Sequence, residues 1–219
     1  MAISRIGQAT AQAASITIPG TYAAGDLIVI AGARANTTAP TIPSGWVSLM
    51  SAGASGLSLV VACKHAQSAS ESAPTFTNAS VLLCAVYRAS SGIIFPGTAN
   101  SQNSIASATI NYAALPNYRA GVLSHWYVGA AAQLNTANSL ETAPTGMSNV
   151  TFDSVTGLKA ALHDTNADQL SNWSSANVTV ATSALYRSAV VHLCEMTYTF
   201  PSGGGGIFFR PGMSGGMSE

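Results

Sequence analysis

Apolar residues along this chain are gathered into short blocks divided by clusters of Gly, Pro, Asn and Ser. The blocks at 15–18 (SITI), 26–33 (DLIVIAGA), 56–63 (GLSLVVAC), 80–87 (SVLLCAVY), 107–115 (SATINYAAL), 120–130 (AGVLSHWYVGA), 156–163 (TGLKAALH), 176–183 (ANVTVATS) and 188–200 (SAVVHLCEMTYTF) are rich in β-branched and aromatic residues. Each predicts a strand. No segment sustains the 3.6-residue apolar stripe of a helix. Two polarity patterns coexist. In 176–183 apolar and polar positions alternate, as on a sheet with one wet face, whereas 26–33 and 81–87 run continuously apolar, as in strands covered on both faces. An all-β sandwich whose central strands are covered by neighbouring segments accounts for both.

The blocks recur. Pro43-Ser44-Gly45 and Pro144-Thr145-Gly146 lie 101 residues apart, and so do the Gly-Leu pairs that begin at Gly56 and Gly157. Gly25 and Gly121 precede matching apolar blocks at a spacing of 96, and Asn78 in PTFTNASV aligns with Asn177 in NWSSANVTV at 99. Each half, about 20–100 and 116–200, reads as strand, long polar loop, P-[ST]-G turn, strand, Gly-Leu strand, loop, strand. Proline fixes φ and the glycine two residues on accepts positive φ, so the reversal is specified locally. The pattern predicts a jelly-roll-type β-sandwich over 1–200 with internal pseudo-twofold character, two related four-strand sheets covering each other's apolar faces. The residue after the turn, Trp46 in one half and Met147 in the other, is expected to plug the core from its end.

The order GDLIVI, PSGWVSL, GLSLVVACKHA, SAPTFTNASVLLCAVYRAS and then TAPTGM resembles a widespread set of bacteriophage and prophage virion-associated β-sandwich proteins. Their pattern runs G-D-L with a hydrophobic run, P-x-G-W, a Gly-led strand, a Pro-aromatic-Thr stretch, and a strand ending in Tyr-Arg-Gly. The likeness covers 25–147 and extends more weakly to about 200, with Tyr87-Arg88-Ala89 in place of Tyr-Arg-Gly. It implies a structural or attachment role in the virion, as a capsid decoration or a collar, tail or fibre protein. Other virion proteins would be its partners, and it implies no reaction.

Composition sharpens the picture. Only 7% of residues are charged, against about 25% in an ordinary domain, and eight basic side chains balance eight acidic ones. No long-range field is left to gather nucleic acid or an anionic membrane, so neither is an expected partner. No apolar run reaches the roughly 18 residues of a membrane helix. The opening MAISRIGQATAQAAS lacks the pattern of a signal peptide, so synthesis in the bacterial host cytoplasm is expected. A surface so poor in charge has little colloidal protection, which points to neighbours that cover it and to a homo-oligomer or larger assembly.

Candidate chemistry is sparse. Cys63, Cys84 and Cys194 are an odd set without C-x-x-C spacing, each in an apolar segment, and are expected to be buried thiols. Asp164, Asn166 and Asp168 hold the first, third and fifth places of a calcium loop, but Gln169 replaces its glycine and Ser175 its bidentate Glu. Asp164 and Asp168 remain as a weak candidate cation pair beside a polar-loop reading. Gly212-Met213-Ser214-Gly215-Gly216 matches G-x-S-x-G without the strand and helix that a nucleophile elbow requires. His163 beside Asp164, with His65 near the corresponding place in the other half, is the one candidate for acid–base work; no nucleophile is marked as its partner. His125 and His192 lie within predicted strands and read as sheet-face histidines. Five N-x-[ST] sequons follow from the Ser, Thr and Asn content. No enzyme activity, cofactor or metal is expected.

Two interaction segments stand out. After four glycines, Gly203 to Gly206, the tail 201–219 carries Ile207, Phe208, Phe209, Arg210 and Pro211, an apolar block expected to dock on a neighbouring subunit. The alternative function is a carbohydrate-binding module for attachment to host surface glycan, with Trp126, Tyr127 and Trp173 as stacking platforms beside the polar loops.

Overall fold

The computed structural model describes residues 3–116 and 118–197, so the tail block from Ile207 to Pro211 lies outside the described residues. The described chain is all β and contains no helix. Its strands are β1 (Ile3–Ala11), β2 (Leu27–Arg34), β3 (Val47–Ala54), β4 (Leu57–His65), β5 (Val81–Ala89), β6 (Ile93–Tyr112), β7 (Ser124–Gln133), β8 (Ser148–Val155), β9 (Leu158–Asp164) and β10 (Ala176–Met196). They form two antiparallel sheets, β1-β5-β2-β4-β3 and β6-β10-β7-β9-β8. The two orders are the same.

Pairing repeats at the level of single residues. In the first sheet Val47 faces Cys63 and Ser48 faces Ala62, Leu49 is skipped, and Met50 faces Val61. In the second, Ser148 faces Asp164 and Asn149 faces His163, Val150 is skipped, and Thr151 faces Leu162. Each partner is displaced by 101, bulge included. The turns before these strands also correspond: Gly45 has φ 82° and Gly146 φ 89°, and the Trp46 and Met147 amides donate to the Pro43 and Pro144 carbonyls at 3.3 and 2.9 Å. The Asn78–Asn177 alignment does not carry over. Asn78 sits at φ 73° ahead of β5, whereas Asn177 is inside β10 and pairs with Asn111. By register Val29 corresponds to Val128, and Ala85 to Val191.

The connectivity is not that of a jelly roll. There, strands alternate between the layers; here β1 to β5 make one sheet and β6 to β10 the other, so the structural halves are 3–89 and 93–196 rather than 20–100 and 116–200. Two-residue hairpins at Ser55-Gly56 and Thr156-Gly157 keep β3 with β4 and β8 with β9, and β2 and β7 pair with the following strands of their own halves. Each sheet has a fifth strand that the sequence pattern misses in whole or in part: β1 is absent from it, and β6 is predicted only from 107. β1 (ISRIGQATA) has too few apolar residues to mark an edge strand, and β6 is a 20-residue strand of which only 107–112 reads clearly.

The sheets pack face to face. Leu27, Val29, Val61, Leu83, Tyr87 and Ile3 from one meet Trp126, Val128, Leu162, Val191 and Leu193 from the other in a shared core. The packing is reciprocal: β1 lies on β8 as β3 lies on β6, and β5 lies on β9 as β10 lies on β4. The outer faces are covered too, which is why β2 and β5 read as continuously apolar. Over the first sheet the connectors 12–26 and 66–80 place Ile16, Ile18 and Phe76, joined where the Phe76 amide donates to the Ala14 carbonyl at 2.7 Å. Over the second, Leu115 and Trp173 exchange backbone bonds of 2.9 and 3.1 Å above Tyr127 and Ala161. Burying a side chain such as Phe76 contributes about 1.5–3 kcal/mol. The block 15–18, which predicts a strand, is part of this cover and makes only the isolated bridge Ser15 to Thr75. Trp46 is half-buried here, edge-on to Phe76 at 5.5 Å, and plugs the outer layer of its own sheet.

Candidate functional site

Neighbouring residues of a strand point to opposite faces, and that rule dismantles the His163–Asp164 pair. Asp164 faces the shared core at the place Cys63 occupies in the first sheet. Its carboxylate accepts from Arg5 Nη1 at 2.8 Å and from the Tyr87 hydroxyl at 3.1 Å, tying β1 and β5 to the opposite sheet. Burial pushes this carboxyl up, while Arg5 and Tyr87 pull it back. His163 lies on the other face, edge-on to Tyr112 at 5.9 Å, with neither ring nitrogen hydrogen-bonded. Burial lowers it to about 4. His65, its approximate counterpart, contacts the Ile94 carbonyl through Nε2 at 2.8 Å. The pair is therefore structural, with no shared substrate-facing atom.

Asp168 shares no hydrogen-bond partner with Asp164. Its carboxylate accepts from the His125 amide at 2.7 Å and the Ser124 hydroxyl at 2.9 Å. The two carboxylates of the candidate cation loop are thus each engaged elsewhere, and no group of three or more His, Cys, Asp or Glu among the described residues is placed to hold a metal. Cys63 and Cys84 are buried, burial pushing the Cys63 thiol up to about 12, while Cys194 is half-buried with its thiol toward the Phe95 carbonyl at 3.5 Å.

None of the three aromatic rings expected to stack on glycan lies open on the surface, and only Trp173 borders a groove. β7 is a central strand covered on both faces, so its alternation sends Trp126 into the shared core against Tyr87 and Tyr127 under the connector, where its hydroxyl donates to the Ser171 carbonyl at 3.1 Å. Trp173 is only 7% exposed and roofs Tyr127. What remains open are two shallow grooves of about 430 and 440 Å³, the first lined by Gln169, Asn172 and Ser175 with the edge of Trp173, the second by Asn100, Gln102 and Asn111 with Tyr112. Exposed apolar side chains are Tyr118, Leu123, Leu170 and Met196 in the region where β7 starts and β10 ends, with Val47 on β3 and Phe152 on β8.

One constellation is invisible in the sequence. His125 and His192 stack at 5.0 Å and 14°, with His125 Nδ1 2.7 Å from His192 Nε2, and His125 Nε2 lies 2.9 Å from the Arg119 carbonyl. That carbonyl only accepts, so His125 carries a proton on Nε2, and with both rings neutral His192 Nε2–H donates to His125 Nδ1. The two histidines are diagonal neighbours in the β7/β10 ladder, a relation that only the register reveals.

No family model, curated protein or solved structure matches this chain. No helix among the described residues is long and apolar enough to cross a membrane.

Proposed function

We propose that this protein is a non-enzymatic structural subunit of a bacteriophage virion, a capsid decoration or a collar, tail or fibre component that packs against other virion proteins or further copies of itself. The observation that carries the reading is what the charges do. All seven carboxylates of the described residues, Asp26, Glu71, Glu141, Asp153, Asp164, Asp168 and Glu195, accept a hydrogen bond from within the molecule. The grooves are lined by amides, hydroxyls, alanines and the rings of Trp173 and Tyr112, with no Asp, Glu, His, Lys, Arg or Cys among their lining residues. A neutral exterior over sealed sheet faces suits a fixed place among neighbours better than turnover of a substrate. The order of motifs from GDLIVI to TAPTGM supports the virion assignment, and the same strand order, shared bulge and reciprocal packing support two related halves about a pseudo-twofold axis. Immunogold labelling of phage particles released by the bacterium that encodes the chain tests this. Gold at one regular position on each particle is expected; unlabelled particles beside free protein in the lysate would contradict it.

A further inference from the structure

The two sheets fasten their covering connectors at equivalent points with different chemistry. By register Asp26 corresponds to His125, Val86 to His192 and Arg88 to Cys194. In the first sheet Arg88 bonds both oxygens of Asp26, at 2.9 and 2.6 Å, and reaches the Thr21 carbonyl of connector 12–26 at 3.0 Å. In the second, the stacked histidines stand at that place and His125 donates to the Arg119 carbonyl, while the Tyr118 ring rests on His125 at 4.7 Å. One fastening is an ion pair and the other a chain of hydrogen-bonded imidazoles.

We propose that the His125–His192 stack is an acid-sensitive latch that releases segment 118–123 from the second sheet, while the Asp26–Arg88 fastening keeps the first sheet closed. The reading rests on proton positions and stands independently of the virion assignment. With the stack neutral, each ring donates once, His125 to Arg119 and His192 to His125. A first added proton has one open nitrogen, His192 Nδ1, which sits where a Cβ on Gly97 would meet it at 2.7 Å. A second would place N–H against N–H across the 2.7 Å contact and break it.

The surroundings oppose even the first proton. From the connector comes the charge of Arg119, from β7 the Tyr127 ring at 5.3 Å from His192, from β10 the neutral Cys194, and from β6 the backbone at Gly97. Asp168, the carboxylate nearest in the hydrogen-bond pattern, is held by the His125 amide and Ser124. Burial first, then His125 and Arg119, lower His192 from 6.5 to about 4. An opened latch lets the ring return to its ordinary value, so protons favour opening as pH falls from 6.5 toward 4, by up to about tenfold per unit. In the first sheet, Asp26 holds the Arg88 guanidinium still more firmly charged and neither partner is a histidine; His65, paired with Leu27 on β4, is bonded to the Ile94 carbonyl rather than to this fastening.

Hydrogen–deuterium exchange on the full chain between pH 7 and 4, corrected for intrinsic rates, reads both connectors in one molecule. Amides of 118–123 are expected to lose protection as pH falls, by up to about tenfold per unit, while those of 12–26 and of β2 stay protected. In His192→Gln, whose side-chain amide can still donate to His125 Nδ1 but does not titrate, protection of 118–123 is expected to persist to pH 4. Loss of β2 protection together with 118–123, equal loss in both connectors, or the same pH response in His192→Gln would each overturn the latch.

Discussion

At the residue scale the second sheet tolerates polar groups where the first does not. His163 stands at the register position of Ala62, with two nitrogens that find no partner. Its lowered value of about 4 means the unfolded chain binds a proton that the native chain refuses between pH 6.5 and 4. Stability from this group is complete above 6.5 and is lost as pH falls to about 4. His163→Leu should therefore gain about 1–2 kcal/mol at pH 7 from removing an unsatisfied buried group, and more at pH 5. Urea unfolding at the two pH values measures both; an unchanged gap between variant and parent would contradict the burial argument.

Asp164 poses the opposite case, because its partners are present. Asp164→Leu leaves Arg5 facing the core without its anion and should cost about 3 kcal/mol, while the double variant Arg5→Met/Asp164→Leu should recover most of that loss. Urea midpoints of both variants measure the difference. Equal destabilisation in the two would mean that the ion pair itself, rather than the orphaned charge, carries the effect.

At the element scale, what was legible in the sequence was local. The P-[ST]-G turns and Gly-Leu hairpins carry their own φ requirements, so Gly45, Gly146, Gly56 and Gly157 marked β3, β4, β8 and β9 correctly. The connectivity was not legible and read as a jelly roll, because which strands share a sheet depends on partners tens of residues away. The same holds for the aromatics: Trp126 and Tyr127 read as candidates for open rings until β7 is known to be central and roofed by Trp173. The histidine latch needed the register of β7 against β10. Among the edge strands β1 was the faintest, since it has little apolar content and no turn signature of its own.

The turn glycines give a prediction at this scale. An added Cβ at Gly45 meets nothing within 4 Å, so Gly45→Ala should cost only the positive-φ penalty of about 1 kcal/mol. At Gly146 the same Cβ meets the Trp173 ring at 3.3 Å, so Gly146→Ala should cost more and perturb Trp173 fluorescence. Thermal melts with fluorescence detection rank the two; equal losses would mean that the roof over the second sheet yields freely.

At the scale of the whole molecule, the sheets share one apolar core, and each outer face is sealed by its own connectors. Neither sheet keeps its inner face out of water without the other, so the two should unfold together despite being drawn from separate halves of the chain. The most direct test uses two single-tryptophan variants. In one, Trp126→Phe/Trp173→Phe leaves Trp46 to report the outer layer of the first sheet; in the other, Trp46→Phe/Trp126→Phe leaves Trp173 to report the second. Each urea fluorescence transition is compared with the β-sheet circular dichroism of the same variant at pH 7. Coincident midpoints within each variant are predicted, and a tryptophan that responds well before or after the bulk of the sheet structure would contradict a single shared core.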